Sequence, residues 1–233
     1  MTYNNKKTEH ELSDTVIELA LKHVIFDGWS DEIINRICSE AKLNKEKIWR
    51  LFPRGSLDIA IAFHKRDDSR FEEKFLESDF NDSSLRVRDR ICEAINLRLE
   101  IASTNKEAVK RSLALFSTPM YFSEGSRIMW HTSDLMWGLV GDQSKDFNWY
   151  SKRFTLSSVL MSSLIIWIDD HSLDSIETRG FISRRIENIM TLEKYKANAK
   201  KMPLVGNILK KFEEIPISSS NWKESFPGWQ FKK

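Results

Sequence analysis

The chain has 233 residues, of which 41% are hydrophobic and 30% charged, with a net charge of +2. This is enough apolar material for a folded core, and too little net charge for polyanion binding to dominate. Two cysteines, Cys38 and Cys92, sit inside helical patterns without metal-ligand spacing, which argues against a disulfide framework and for reduced thiols.

The N-terminus has no apolar signal core, and Glu9, Glu11 and Asp14 disfavour a transit peptide. The expectation is a bacterial chain, or one from which a transit segment was removed. Apolar residues recur at helical spacing, Gly and Pro are sparse, and no long stretch alternates with period two. The expected class is therefore all-α.

Leu12, Val16, Leu19, Ala20 and Val24 line a first helix that ends at Asp27-Gly28. Ser30 is expected to cap a second helix reaching Ala41, with Ile33, Ile34, Ile37 and Cys38 inward. Asn44 caps a short third helix, Lys45 to Phe52, which Pro53 stops. Ser56 opens a fourth, to about Glu77.

Next comes a stripe of Val87, Ile91, Ala94, Ile95, Leu99 and Ala102, flanked by Arg86, Arg88, Arg90 and Arg98. Helices are expected from Lys106 to Phe116 and from about Glu124 to Leu139. Gly141-Asp142 breaks the chain. The most apolar helix follows, roughly Asp146 to Ile168. Its longest uncharged run is shorter than the ~20 residues of a membrane span, and Ser157, Ser158, Ser162 and Ser163 interrupt it. Asp169-Asp170-His171 reads as a solvated helix end, and a last helix runs to Met190.

From Lys194 to Lys233 there are nine Lys and three Glu, a charge of +6. Within this tail Leu204, Val205, Ile208, Leu209 and Phe212 share one side of a short helix, with Lys210 and Lys211 on its basic edge. That pattern suits contact with an anionic lipid surface. The expected organisation is a head at 1–56, a helical body at 57–192 and a basic amphipathic tail at 193–233.

Residues 12–63 resemble the N-terminal helix-turn-helix head of TetR-type regulators. Lys45, Lys47 and Arg50 stand on the helix that would read DNA. The chemistry argues against that use. Residues 1–60 carry nine Lys and Arg against ten Asp and Glu, so the phosphate attraction behind non-specific binding is missing. Lys42 and Glu46 occupy positions where the TetR pattern has glycine. Trp49, Leu51 and Gly55 occupy those of its phosphate-binding side chains, and Leu51 and Gly55 have no side-chain donor.

The segment 135–153, LMWGLVGDQSKDFNWYSKR, resembles the accessory lipid-binding protein family of ubiquinone biosynthesis. The resemblance is carried by Met136, Trp137, Gly141, Asp142, Ser144, Asp146, Phe147, Asn148, Trp149, Tyr150, Lys152 and Arg153. Asp27-Gly28-Trp29-Ser30 and Leu51-Phe52-Pro53-Arg54-Gly55-Ser56-Leu57-Asp58 are similar to two further family segments. The resemblance implies a TetR-like fold, no catalysis, a cavity for an isoprenoid quinone intermediate or phospholipid, and a C-terminal helix on the membrane. It also implies docking of the di-iron demethoxyubiquinone hydroxylase around Met136, Trp149 and Tyr150, with Asp146 just upstream. The place implied is the bacterial cytoplasm beside the inner membrane, or the matrix face of the mitochondrial inner membrane.

From the residues themselves, Asp146 can cap its helix and favour its dipole. Phe154, Leu156, Leu160, Leu164 and Trp167, with Trp130 on the preceding helix, are the candidate lipid contacts. A filled core fits them equally well. His10, His23, His64, His131 and His171 are scattered, with no metal-ligand spacing, and His131 reads as a buried polar residue. No nucleophile, phosphate-loop or dinucleotide motif is present. No cofactor is expected, and a homodimer of the TetR kind is. The competing reading is a ligand-responsive TetR-type transcription regulator.

Overall fold

A computed structural model describes residues 2–144 and 146–200, with side chains at 9–144 and 148–191. The described chain is helical: α1 Thr2–Asp27, α2 Glu32–Ala41, α3 Lys45–Leu51, α4 Ser56–Glu77, α5 Val87–Ser103, α6 Lys106–Phe116, α7 Phe122–Leu139, α8 Asp146–Asp169 and α9 Ile176–Lys200. Among the described residues no helix is long and apolar enough to cross a membrane.

Two compact units form. Among the described residues, the first joins 2–70 to 101–128, and the second joins 71–100 to the described residues between 129 and 200. In the first, α1 packs on α2, α3 and α6. Val16, Ile17, Ala20, Val24, Ile33, Ile34, Ile37 and Ile48 are all buried there. Helix α1 starts well before Leu12. Leu12 and Leu19 are only half-buried, and Ile17 and Leu21 take the interior places instead.

The first turn closes on Gly28, at φ +64°, whose N–H donates to Val24 O at 3.0 Å. Glycine enters this left-handed conformation without a Cβ penalty. Trp29 is then buried, and its Nε1 donates to Ala108 O on α6 at 3.3 Å.

Ser30 does not cap α2. Asp31 holds the cap position, and its Oδ1 accepts from Ser56 N at 3.0 Å rather than from α2 itself. Gly55, at φ +64°, makes this approach possible, because a Cβ there would collide with Asp31 Oδ1 and press on Trp49. Asn44 does cap α3, its side chain accepting from Glu46 N at 2.7 Å. Cys38, expected inward, is only half-buried.

In the second unit two arginines of the α5 stripe lie inside rather than beside it: Arg90 is 4% exposed and Arg98 8%. Arg90 donates to Phe80 O at 2.8 Å and to Leu139 O and Val140 O at 3.0 Å each. It thereby satisfies carbonyls that the end of α7 leaves without helical partners. Val87, at the start of the stripe, is exposed.

Asp170 overturns the expected solvated end. It is 6% exposed and accepts from Ser172 and from both the amide and hydroxyl of Thr178. Those bonds hold its carboxyl well below the usual carboxylate range. The chain needs this anchor, because Asp174 and Ser175 both take left-handed backbone just before α9.

Two stability measurements check this account. Lys42, the C-cap of α2, sits at φ 51° in the conformation glycine prefers. Lys42→Gly is expected to stabilise the chain by about 1 kcal/mol in urea unfolding. Asp170→Ala is expected to destabilise it by about 3 kcal/mol, since it strands the buried hydroxyl and amide of Thr178 and releases Ser172. A loss below 1 kcal/mol would contradict the anchor.

Candidate functional site

The turn from α7 into α8 begins with a glycine-dependent stop. Gly141, at φ +80°, donates to Gly138 O at 3.0 Å, and Asp142 N donates to Trp137 O at 3.0 Å. This is the paired pattern by which a left-handed residue closes a helix. It turns Asp142 inward, where its side chain is 3% exposed.

An ionic knot forms around that carboxylate. Lys152 Nζ lies 2.7 Å from Asp142 Oδ1, and Arg153 Nη1 lies 3.1 Å from Oδ2. Ser144 donates its hydroxyl to Oδ1 at 2.6 Å. Burial pushes the Asp142 carboxyl up, but the hydrogen bonds from Lys152, Ser144 and Arg153 outweigh it and hold it at about 2. Arg153 also meets Asp134 of α7, Nε to Oδ1 at 2.5 Å, and is only 4% exposed.

Two backbone carbonyls of α8 are tied to α7 as well. Ser133 donates to Arg153 O at 2.9 Å, and Trp137 Nε1 donates to Lys152 O at 3.1 Å.

An aromatic cluster rests on the knot. The Arg153 guanidinium lies 4.0 Å from the Trp149 ring centroid. Trp149 meets Tyr150 edge-on at 4.8 Å. Trp130 of α7 lies 5.9 Å from Trp149 and 6.3 Å from Tyr150. Trp130 is buried, whereas Trp149 and Tyr150 are half-exposed, and burial raises the Tyr150 hydroxyl above its ordinary value. Indoles and phenols placed this way offer large, stiff contact area, the kind that anchors interfaces.

The structure thus brings together Trp130, Trp149 and Tyr150. Met136 is fully buried on α7 and presents no surface of its own. Asp146 opens α8, and its side chain lies outside the described residues. Leu156, Leu160, Leu164 and Trp167 are buried along α8, each 9% exposed or less. Phe154 is corrected by the structure. It is 67% exposed, on the opposite side of α8 from the interior residues. Leu204, Val205, Ile208, Leu209, Lys210, Lys211 and Phe212 lie outside the described residues.

Around Phe154 and Ile165 the outer face of α8 carries hydroxyls that bond within the helix. Thr155, Ser158 and Ser162 donate to the carbonyls of Ser151, Phe154 and Ser158 at 2.7 to 3.0 Å, while Ser157, on the flank toward α7, donates to Arg153 O at 2.8 Å and reaches Met129 O at 3.3 Å. Ser163, fully buried, has a hydroxyl without a partner among the described residues.

Residue reasoning missed Asp134 and Ser133 as parts of the site. Nothing local marks them, because their partners lie about twenty residues on, across the helix break. His131 is half-buried rather than buried. Among the described residues no group of three His, Cys, Asp or Glu is arranged to hold a metal ion.

Residues 122–193 match the COQ9 family model, a range that contains the knot and the aromatic cluster. Over most of its length the chain is similar to COQ9 proteins. It is 25% identical over 190 residues to the probable ubiquinone biosynthesis protein coq9, mitochondrial, of Dictyostelium discoideum, covering 80% of this chain and 62% of that protein. It is 24% identical over 191 residues to the human ubiquinone biosynthesis protein COQ9, mitochondrial, covering 80% of this chain and 60% of that one. The chain therefore spans about three fifths of the length of these COQ9 proteins.

The fold is TetR-like. A TetR transcriptional regulator from Nitrosomonas europaea superposes with a TM-score of 0.61 at 20% identity, covering 76% of this chain and 97% of that one.

The knot makes a pH-dependent contribution. Because the folded-state pKa of Asp142 lies below its ordinary value of 3.8, its stabilisation is complete above about pH 4 and lost as pH falls toward 2. Asp142→Asn is expected to cost about 2 kcal/mol at pH 7. In urea titrations, the gap from the parent chain should narrow below pH 4. A gap that stays constant down to pH 3 would contradict the assignment.

Proposed function

We propose that this chain is a non-catalytic accessory protein of ubiquinone biosynthesis. It holds an isoprenoid quinone intermediate or phospholipid in its second unit and presents it to the demethoxyubiquinone hydroxylase at a membrane. The observation that carries the reading is the coincidence of the COQ9 match with a half-exposed Trp149–Tyr150 face on a rigid base. Such a face suits a protein partner, because the rings lose little freedom when they are covered.

The apolar side of α8 supports the lipid part. A polyprenyl tail gains about 0.8 kcal/mol for each CH₂ kept out of water, so it leaves a bilayer only for another apolar container. Leu156, Leu160, Leu164 and Trp167 supply apolar surface, and the orphan hydroxyl of Ser163 offers a hydrogen-bond donor to a quinone oxygen.

The tail's Lys210 and Lys211, beside Leu204, Val205, Ile208, Leu209 and Phe212, would supply membrane contact through anionic headgroups. The reading places the chain peripherally on the inner membrane of a bacterium or a mitochondrion, as a homodimer.

Transcription regulation is the weaker reading. Lys45, Lys47 and Arg50 are exposed on α3, but Lys45 already donates to Asn35 Oδ1 at 2.8 Å. Gly55 is held to glycine by Asp31 and cannot carry a phosphate donor.

The test is to purify the chain from its host and extract what it carries. An isoprenoid quinone intermediate or phospholipid should be recovered in stoichiometric amount. Lipid-free protein that takes up neither demethoxyubiquinone nor phospholipid from mixed vesicles would overturn the lipid reading.

A further inference from the structure

We propose that Arg153 is a positioning residue, fixing the direction in which the Trp149 ring meets the hydroxylase. The inference rests on the docking reading above and names the group that sets the geometry of that surface.

Arg153 is 4% exposed, so it does not itself offer charge to a partner. Its guanidinium is spent internally, and every contact bears on Trp149 or on the frame around it. The guanidinium carbon lies 4.0 Å from the Trp149 ring centroid. Nη1 donates to Trp149 O at 3.2 Å, holding the backbone of the same residue. Nη1 also lies 3.1 Å from Asp142 Oδ2, and Nε lies 2.5 Å from Asp134 Oδ1.

A planar guanidinium held by two carboxylates has one orientation. A ring stacked against it inherits that orientation, because the cation favours the ring face. The Tyr150 ring meets Trp149 nearly at right angles, with an interplanar angle of 82°, and Trp130 meets it at 59°. The charged contact and the tilted rings together leave Trp149 pre-set in a half-exposed place where a free indole would sample several rotamers. A lysine at 153 would keep the charge but lose the flat fork that makes these contacts at once.

The mere role of holding α7 to α8 predicts something else. In that case substitution lowers stability without acting through Trp149. A double-mutant cycle separates the two. Trp149→Ala, Arg153→Lys and the double variant are titrated with the purified hydroxylase of the same organism, and thermal unfolding is followed in parallel. The indole N–H resonance of Trp149, assigned by its loss in Trp149→Ala, reports ring placement directly.

Arg153→Lys is expected to shift that resonance and weaken hydroxylase binding about tenfold, with no further weakening in the Trp149→Ala background. An unmoved resonance overturns the proposal. So does an affinity loss of the same size in both backgrounds, while leaving the docking reading in place. If Trp149→Ala itself binds the hydroxylase as tightly as the parent chain, the docking reading falls and this inference falls with it. Should Arg153→Lys fail to fold, Asp134→Asn replaces it in the same cycle. Its side chain is 48% exposed and it loosens the same guanidinium from the other side.

Discussion

The arrangement at the α7–α8 turn depends on one neutral cluster of four charges: Asp142 and Asp134 against Lys152 and Arg153. Taking an ion out of water costs several kcal/mol unless a counter-ion and hydrogen bonds meet it. Here each member meets an opposite charge, and Asp142 meets both cations. The two buried members, Asp142 and Arg153, pair with each other, and each has a second, more exposed counter-ion in Lys152 or Asp134. The consequence for function is geometric. The bend that the charges close is the base under Trp149 and Tyr150.

The aromatic cluster removes a distinction that the sequence suggests. Trp130 reads as a lipid contact, and Trp149 and Tyr150 as partner contacts, yet the three rings touch. Trp130 stands behind the exposed pair as a buried wall. In the head, the comparable residues serve packing. Ile48 is buried, and the Trp49 ring takes up space that a side chain at Gly55 would need. The helix-turn-helix shape persists because those contacts close its turns.

Much of the helical outline was legible. The α6 boundaries follow from one apolar face and the coming Pro119, and the Asn44 cap follows from a side chain that accepts where an amide needs an acceptor. Lys42 stands at a position where the TetR pattern has glycine, and it takes the left-handed conformation that glycine prefers.

Other features were hidden because their causes are not periodic. Asp170 reads as solvent-facing by its neighbours, but four donors of a later turn enclose it. Arg90 reads as a flank because arginine is polar, while its use is to saturate carbonyls fifty residues on. Phe154 reads as interior because it is apolar, and only the rotation of α8 shows that it points outward. The discontinuous pairing of 101–128 with the first seventy residues leaves no mark in composition at all.

The outer hydroxyls of α8 have a consequence of their own. A serine or threonine that bonds to the carbonyl one turn back has already spent its donor. Thr155, Ser158 and Ser162 on the outward side all do so. This flank of the helix, with Phe154 and Ile165 projecting from it, asks little of its surroundings. Moving it from an aqueous phase to an oily one would strand few hydrogen bonds. Serine, usually a mark of wettability, here makes the helix indifferent to which solvent it faces.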